Sequence, residues 1–196
     1  METATEPRRR NLAETRTRIL AAAADCFAGS GYARAGLREI ADLADVAPSL
    51  VSKHFGTKAA LFEQALLEVI RANSVFTRDK PRFGETMARL MADRGNTDIT
   101  VMLVLGLADA ESHAIVQRVV REHILDPLAE WLGPPHALDR ATNLFALMTG
   151  FAVQMRGLHA GPVPPASLAW MAGALQAIVD EGVDESASAD NHVAGG

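Results

Sequence analysis

Apolar residues recur at helical spacing through most of the chain, and the most informative stretch runs from position 37 to position 55. In its first half they fall at i, i+3, i+4 and i+7: Leu37, Ile40, Ala41 and Ala44. This spacing places them on one face of a helix. The pattern therefore predicts a short helix with one buried face.

A tight turn and a second short helix are expected to follow. Asp45 can turn the chain, because Asp tolerates the left-handed backbone region better than a β-branched residue. Pro48 suits the first position of a helix, where its fixed φ and missing N–H have no cost. Val51 and Phe55, four residues apart, would form the buried side of that helix. The arrangement is typical of a helix-turn-helix.

The opposite face of the second helix carries groups that read base edges or bind phosphates. An ordinary helical hairpin inside a core would explain the same spacing, so the spacing alone leaves both interpretations open. The groups on this face are Ser49, Leu50, Ser52, Lys53 and His54.

Helices on both sides extend this unit. Upstream, the alanine-rich segment Thr15–Ser30 predicts a helix that is stopped by Gly29 and Gly31. Downstream, Gly56 ends the second short helix, and Thr57 can cap a long helix. Three helices and the start of a fourth thus form one unit.

The order ILAAAADCFAGSGY, LREIADLADV, a helix ending in HF, and GTKAALFEQAL resembles the tetracycline-repressor (TetR) family of bacterial regulators, over roughly residues 15–70. The resemblance implies a three-helix DNA-binding domain at the N-terminus and a fourth helix that links it to a variable helical domain. It also implies a homodimer formed through the last two long helices, and a ligand pocket in the variable domain.

Three positions depart from the family pattern. Asp45 stands where the family usually has Gly in the turn, and Gly36 stands where it usually has Thr or Ser. His54 stands where a tyrosine usually contacts phosphate, and it could replace that contact. Lys58 keeps the family residue at the start of the fourth helix, whose N-terminus also attracts phosphate.

These features predict a DNA-binding domain whose second short helix enters the major groove. In a dimer, the second short helices of the two subunits would lie about 34–36 Å or more apart on a near-palindromic operator. Base edges would be contacted by Ser49, Ser52 and Lys53, and a thymine methyl by Leu50; phosphates would be bound by Arg38, His54 and Lys58. The predicted set, with the first helical residue, is Arg38, Pro48, Ser49, Leu50, Ser52, Lys53, His54 and Lys58.

Charge is unevenly distributed along the 196 residues, although the net charge is −5. Residues 1–60 hold nine Lys or Arg and seven Asp or Glu, a net of +2, and the remainder carries −7. A basic head on an acidic body fits a protein of which only the head meets DNA, although chance drift would also give so small an excess. Arg8, Arg9 and Arg10 are expected to precede the first helix, where they would either reach a minor groove or remain solvated.

Beyond residue 75 the pattern remains helical, so an all-α protein is expected. Helices are predicted near 82–94 and 97–109, and over Glu111–Leu132, Ala137–His159 and Ser167–Asp180. The predicted domains are 1–56, which binds DNA, 57–181, which regulates and dimerises, and a disordered tail over 182–196.

The last two long helices are almost free of charge, and this composition predicts a dimer. Between Leu144 and Met155 no side chain is ionised, and Leu168 to Val179 is nearly as apolar. Helices that are apolar nearly all round must be covered on more than one side. A four-helix bundle formed with a second copy would cover them, and Gly150 would allow close approach.

A small hydrophobic ligand is a further expected partner, since methionines and aromatic residues can line an adaptable pocket. Plain core packing would explain the same residues. The candidate lining is Phe83, Met87, Met91, Met102, Phe145, Met148, Phe151, Met155 and Trp170.

An enzyme is not expected, because no catalytic motif is present. Asp109, His113, His123 and Asp126 could supply metal ligands, but surface ion pairs explain the same residues more simply. No signal peptide or membrane span is predicted, so a cytoplasmic protein without a cofactor is expected. Cys26 is expected to be a buried structural thiol.

We therefore expect a DNA-binding transcriptional regulator, most simply a repressor that a ligand releases from its operator. A helical adaptor that binds only protein would leave the exposed face of the second short helix without a use.

Overall fold

The computed structural model describes the backbone of residues 5–72, 79–92, 99–158 and 161–193, with side chains from residue 12 to residue 181 of these ranges except Arg156. The predicted all-α class is confirmed, since no residue in these ranges lies in a β-strand. The α-helices are α1 (Thr5–Arg34), α2 (Leu37–Leu43), α3 (Pro48–Phe55), α4 (Lys58–Ala72), α5 (Phe83–Ala92), α6 (Ile99–Gly106), α7 (Ala110–Val120), α8 (Asp126–Leu132), α9 (Ala137–Ala152) and α10 (Pro165–Val193). A 3₁₀ turn covers Lys80–Arg82, and π-helical turns cover Arg121–Leu125 and Val153–Leu158.

The chain divides into two compact units. The first comprises residues 1–73 and 97–119, and so contains α1–α4, α6 and α7 up to its penultimate residue. The second comprises residues 74–96 and 120–196, and contains α5 and α8–α10. The predicted functional domains 1–56, 57–181 and 182–196 stay predictions, because compactness does not measure what a segment binds.

The first unit has an aromatic core between α1 and α4. Phe27 packs edge-on against Phe62 with ring centroids 5.0 Å apart, and Tyr32 packs against both rings. At Gly106, the end of α6, an added Cβ would lie 2.7 Å from Cγ2 of Val116. The missing side chain therefore lets α7 pack closely beside α6 in this unit.

In the second unit α5 lies against α10 at close range. A Cβ at Gly84 would lie only 2.0 Å from the carbonyl oxygen of Ala172. Gln176 accepts a hydrogen bond from the N–H of Gly84 and donates one to the carbonyl of Lys80, both at 3.0 Å. The surrounding core consists of Phe83, Met87, Leu128, Leu132, Ala141, Leu144, Phe151, Met171, Leu175 and Val179.

A buried arginine connects α9 to α10 and to the turn before α9. Arg140 is only 3% exposed and donates to the carbonyls of Ile178 at 3.0 Å and Val179 at 2.7 Å. It also donates to the carbonyls of Gly133 at 3.1 Å and Pro135 at 3.2 Å. These four bonds compensate the guanidinium for the water it loses on burial.

The first helix differs from its prediction at its start, since it begins at Thr5 instead of Thr15. Its predicted stop is close to the observed one: the backbone leaves the helical conformation at Gly31, whose φ is 77°, and only a short further turn reaches Arg34. No glycine interrupts residues 5–14, and Pro7 lies in the first turn, where its missing N–H is not needed. Residues 8–10 therefore belong to the helical backbone and do not precede it; their side chains lie outside the described ones.

Later helices also differ in their bounds. The predicted helix Glu111–Leu132 contains the π-helical turn Arg121–Leu125 just before Pro127, which cannot donate to the carbonyl four residues earlier. The helix from Ala137 becomes π-helical at Val153, and its predicted end at His159 lies outside the described residues, as do the predicted ends near 94 and 97. The last helix, α10, does not end at the predicted Asp180 but runs to Val193; the predicted disordered tail stays a prediction.

Candidate nucleic-acid interface

The turn between α2 and α3 is closed by two backbone hydrogen bonds and an aspartate in the left-handed region. Asp45 has φ 51°, as the sequence predicted. Its N–H donates to the carbonyl of Asp42 at 3.1 Å, and the N–H of Val46 donates to the carbonyl of Ala41 at 3.0 Å. This pairing is a Schellman motif, which satisfies the last carbonyls of α2 and fixes the angle of the next helix.

The second helix of the motif, α3, has the predicted buried side. Val51 is 1% exposed and Phe55 6% exposed, and both pack into the first unit. Pro48 occupies the first turn of α3, and Gly56, with φ 74°, ends it. Two buried anchors four residues apart therefore fix which face of α3 meets solvent.

That outer face carries the predicted reading groups. Pro48, Ser49, Ser52 and Lys53 are exposed, whereas Leu50 and His54 are half-buried. Arg38 is exposed on α2. Hydroxyl, ammonium and imidazole groups are thus presented together, although their contacts with DNA stay predictions.

The predicted cap at the start of α4 is confirmed, because Thr57 Oγ1 accepts a hydrogen bond from the N–H of Ala60 at 3.1 Å. The next residue, Lys58, is half-buried. Its Nζ donates to the carbonyl of Ala33 at 3.2 Å and lies 4.7 Å from the centroid of the Tyr32 ring. The ammonium group is therefore held at the N-terminus of α4.

Two arginines of α1 that the sequence did not single out also contact this motif. Arg16 lies over the Phe55 ring, 4.9 Å from its centroid, and donates to the side chain of Gln64 on α4. Arg18 lies 3.9 Å from the carboxylate of Asp45 in the turn, although both side chains are well exposed. Their partners lie far away in the sequence, so periodicity within one helix could not have identified them.

A hydrogen bond between α1 and α7 was likewise missed. The Tyr32 hydroxyl donates to Oε2 of Glu111 at 2.5 Å across 79 positions of sequence. Burial, followed by the hydrogen bond and charge of Glu111 and the charge of Asp109, raises the pKa of Tyr32 above its ordinary value. The phenol is therefore neutral near pH 7.

The carboxylates considered as metal ligands have other roles. Asp109 caps α7, where its Oδ1 accepts from the N–H of Glu111 at 3.0 Å and from that of Ser112 at 3.3 Å. Asp126 pairs with Arg121 at 2.8 Å. No group of three or more His, Cys, Asp or Glu that could hold a metal occurs among the described residues.

The candidate ligand-lining residues are only partly brought together. Within the second unit, Phe83, Met87 and Phe151 belong to the core, and Met91, Met148 and Met155 pack against it. Trp170 is 60% exposed, Phe145 is half-buried outside this cluster, and Met102 is buried in the first unit.

Two further expectations concern the thiol and the membrane. Cys26 is buried, as predicted. Burial, and to a smaller extent the carboxylates of Glu39 and Asp25, raise the pKa of its thiol. Among the described residues, the helices are all too short or too polar to cross a membrane.

The fold and the exposed face of α3 define a helix-turn-helix protein of the DNA-binding type. The family model for bacterial regulatory proteins of the tetR family matches residues 19–65, and that for the tetracyclin repressor-like C-terminal domain matches residues 82–179. The chain therefore belongs to the TetR family. That family consists of transcriptional regulators, not enzymes.

Solved structures share the fold over most of the chain. A transcriptional regulator from Rhodococcus sp. Rha1 has 24% identity and a TM-score of 0.60, covering 87% of this chain and 96% of that one. Salmonella enterica GusR has 19% identity and a TM-score of 0.63, covering 91% and 96%. The multidrug binding protein EbrR, in complex with proflavin, has 20% identity and a TM-score of 0.54, covering 84% and 99%. No curated protein matches the sequence.

Proposed function

We propose that this protein is a homodimeric repressor that binds a near-palindromic operator and is released from it by a small molecule. The observation that carries this proposal is α3, which is anchored by Val51 and Phe55 and presents hydroxyl and cationic groups outward. A helix presented in this way fits the major groove, where base edges differ most between sequences. The chromosome that it would regulate lies in the cytoplasm.

We assign base reading and phosphate binding to different residues. Ser49, Ser52 and Lys53 are exposed on α3 and would contact base edges. Leu50 would meet a thymine methyl, and Pro48 fixes the start of the helix. Arg38, His54 and Lys58 would bind phosphates, which position the helix without reading sequence.

The dimer would form through α9 and α10. Ala146 and Gly150 are exposed on α9, and Gly173 is exposed on α10. A Cβ at either glycine would meet no atom within 4 Å, so neither glycine is required by packing inside the chain. Small residues on exposed helix faces allow a second copy to approach closely, and a two-fold axis would duplicate the contact.

Release would follow from ligand binding in the second unit. Its core contains phenylalanine and methionine side chains, which adapt to ligands of different shape. One relative of this fold was solved with proflavin, a precedent for a small molecule bound by this class. Such a ligand would bind more tightly to a dimer whose two α3 helices are spaced wrongly for the operator than to the dimer that binds DNA. The ratio of these two ligand affinities sets the factor by which DNA affinity falls.

Selection of duplexes from a random library by the purified protein tests this function. We expect enrichment of a near-palindrome that is bound in a salt-dependent manner. Lys58→Ala should weaken binding to every duplex and lower the salt slope by about 1, because it removes one phosphate contact. Ser52→Ala should instead change the preferred bases.

The reverse pattern would refute the assignment of roles. A chain that enriched no sequence and showed no salt-dependent binding would refute the regulator itself. Gln117→Ala serves as a matched control, because Gln117 is an exposed residue of α7 in the same unit to which no DNA contact is assigned. Its affinity and sequence preference should equal those of the wild type.

A further inference from the structure

The side chain of Lys58 makes two contacts within its own chain. Its ammonium lies over the Tyr32 ring and donates to the carbonyl of Ala33, at the distances given above. A lysine on a free surface has several rotatable bonds and loses that freedom when it binds a phosphate. Here part of that loss occurs on folding, so the amine is preorganised for its contact.

The ring that holds this amine is itself fixed by α7. Tyr32 is 5% exposed and packs against Phe27 and Phe62, and its hydroxyl donates to Glu111 in the first turn of α7. The hydrogen bond to this carboxylate, together with the neighbouring rings, fixes the orientation of the Tyr32 ring. It also draws the phenolic proton, which makes the ring richer in electrons and a better partner for a cation.

We propose that Glu111, acting through Tyr32, is a positioning residue for the contact between Lys58 and a DNA phosphate. This inference rests on the proposed function, since it needs Lys58 to bind DNA. It gives α7, which carries no predicted DNA contact, an influence on DNA affinity. The influence would pass through one hydrogen bond and one cation–π contact within the first unit.

The direction in which Glu111→Ala changes DNA affinity distinguishes this mechanism from long-range electrostatic attraction. Glu111→Ala removes a negative charge from the unit that would meet DNA, so long-range attraction alone predicts stronger binding. Loss of positioning predicts weaker binding. Tyr32→Phe changes no charge and keeps the ring, so it tests the hydroxyl link alone.

A double-mutant cycle on DNA binding provides the test. Fluorescence anisotropy would measure the affinity for a fluorescein-labelled random-sequence duplex of about three helical turns, at salt concentrations from about 50 to about 200 mM. We expect Tyr32→Phe to weaken binding about three- to tenfold, within the range of a weakened cation–π contact. In the Lys58→Ala background the same change should have no effect, because the group that it positions is gone.

A second contact of α7, to α4, supplies the matched control. Arg118 of α7 makes two hydrogen bonds, of 2.7 and 3.0 Å, to the carboxylate of Glu63 on α4. Glu63→Gln weakens this pair and loosens α7 without touching Lys58. Its effect on affinity should add to that of Lys58→Ala, and thermal unfolding would show whether the two links stabilise the fold equally.

The outcomes are distinct. Additive effects of Tyr32→Phe and Lys58→Ala, or stronger binding by Glu111→Ala, would overturn the positioning role while the regulator proposal stands on the salt-dependent binding of the wild type. Absence of any binding by the wild type would overturn both. If Tyr32→Phe does not fold, the cycle is made with Glu111→Ala, whose side chain is exposed. Glu111→Gln keeps an acceptor and should retain most of the affinity.

Discussion

Tyr32 is the only tyrosine of the chain, so its ionisation can be followed without interference from other phenols. Because its pKa is raised in the folded protein, the near-ultraviolet absorbance of tyrosinate should appear at a higher pH than in the unfolded chain, where the pKa is about 10. The folded state then binds a proton that the unfolded state has lost. Stability from this group is therefore complete below about pH 10 and decreases as the pH rises from there towards the folded pKa.

Glu111→Gln isolates the contribution of the carboxylate to this titration. The substitution removes the charge and leaves an acceptor, so the pKa of Tyr32 should fall while remaining above its ordinary value, because burial is the largest cause of the shift. Tyr32→Phe should abolish the absorbance change. A phenol that titrated near pH 10 in the folded wild type would contradict the buried, hydrogen-bonded geometry.

Local chemistry made some residues predictable and left others hidden. The left-handed turn at Asp45 and the cap at Thr57 follow from the preferences of those residues and their neighbours in sequence. The bond from Tyr32 to Glu111 joins residues 79 positions apart, and neither has a distinctive local pattern. Such a pair depends on which helices pack together, which no property of the single residues determines.

Among the helices, those with one apolar face were the easiest to predict. Periodicity located α2, α3 and α4 closely, because each has one buried side. It placed the start of α1 ten residues too late, since helix-forming residues without an apolar face leave no periodic signal. The π-helical turn at Arg121–Leu125 also leaves none, although Pro127 indicated a distortion nearby.

The contact between α5 and α10 depends on one glycine. We expect Gly84→Ala to lower the free energy of unfolding by roughly 1–3 kcal/mol, because the new Cβ would overlap the carbonyl of Ala172 and push the helices apart. Urea denaturation followed by circular dichroism would measure this. Gly29→Ala is the matched control: that glycine lies in α1 with no atom within 4 Å of a Cβ, so alanine should stabilise by about 0.5–1 kcal/mol. Equal stability of the two variants would contradict the close packing of α5 on α10.

At the scale of the whole molecule, the sequence predicted a DNA-binding head and a helical body. The composition of the compact units could not be foreseen, because α6 and α7 follow α5 in sequence yet belong to the first unit. For the same reason Met102, considered with the ligand-lining methionines, belongs to the first unit and not to the core cluster of the second. Local pattern assigns residues to helices, whereas the assignment of helices to units depends on packing between distant segments.

The exposed apolar surface of α9 and α10 bears on the number of chains in the working molecule. Leu138 and Val153 of the segment beginning with α9 are each 36% exposed, and Trp170 of α10 is 60% exposed. In the proposed dimer a second copy would cover these side chains. The composition of the two helices favours this proposal, because helices that are apolar nearly all round must be covered on more than one side.

Charges placed on α9 and α10 should separate the proposed dimer. We expect the wild type to have twice the 20.9 kDa mass of one chain by light scattering, and the double variant Ala146→Glu, Gly173→Glu to have the mass of one chain. A carboxylate facing its own copy across a two-fold axis is both desolvated and repelled. The monomer should bind the operator about 100-fold more weakly or worse, because the second α3 helix is no longer held near its half-site.

Leu90→Glu, at an exposed position on α5 in the same unit, is the control and should remain dimeric. A double variant that stayed dimeric would place the interface elsewhere, whereas a monomer with undiminished operator affinity would mean that each reader binds its half-site alone.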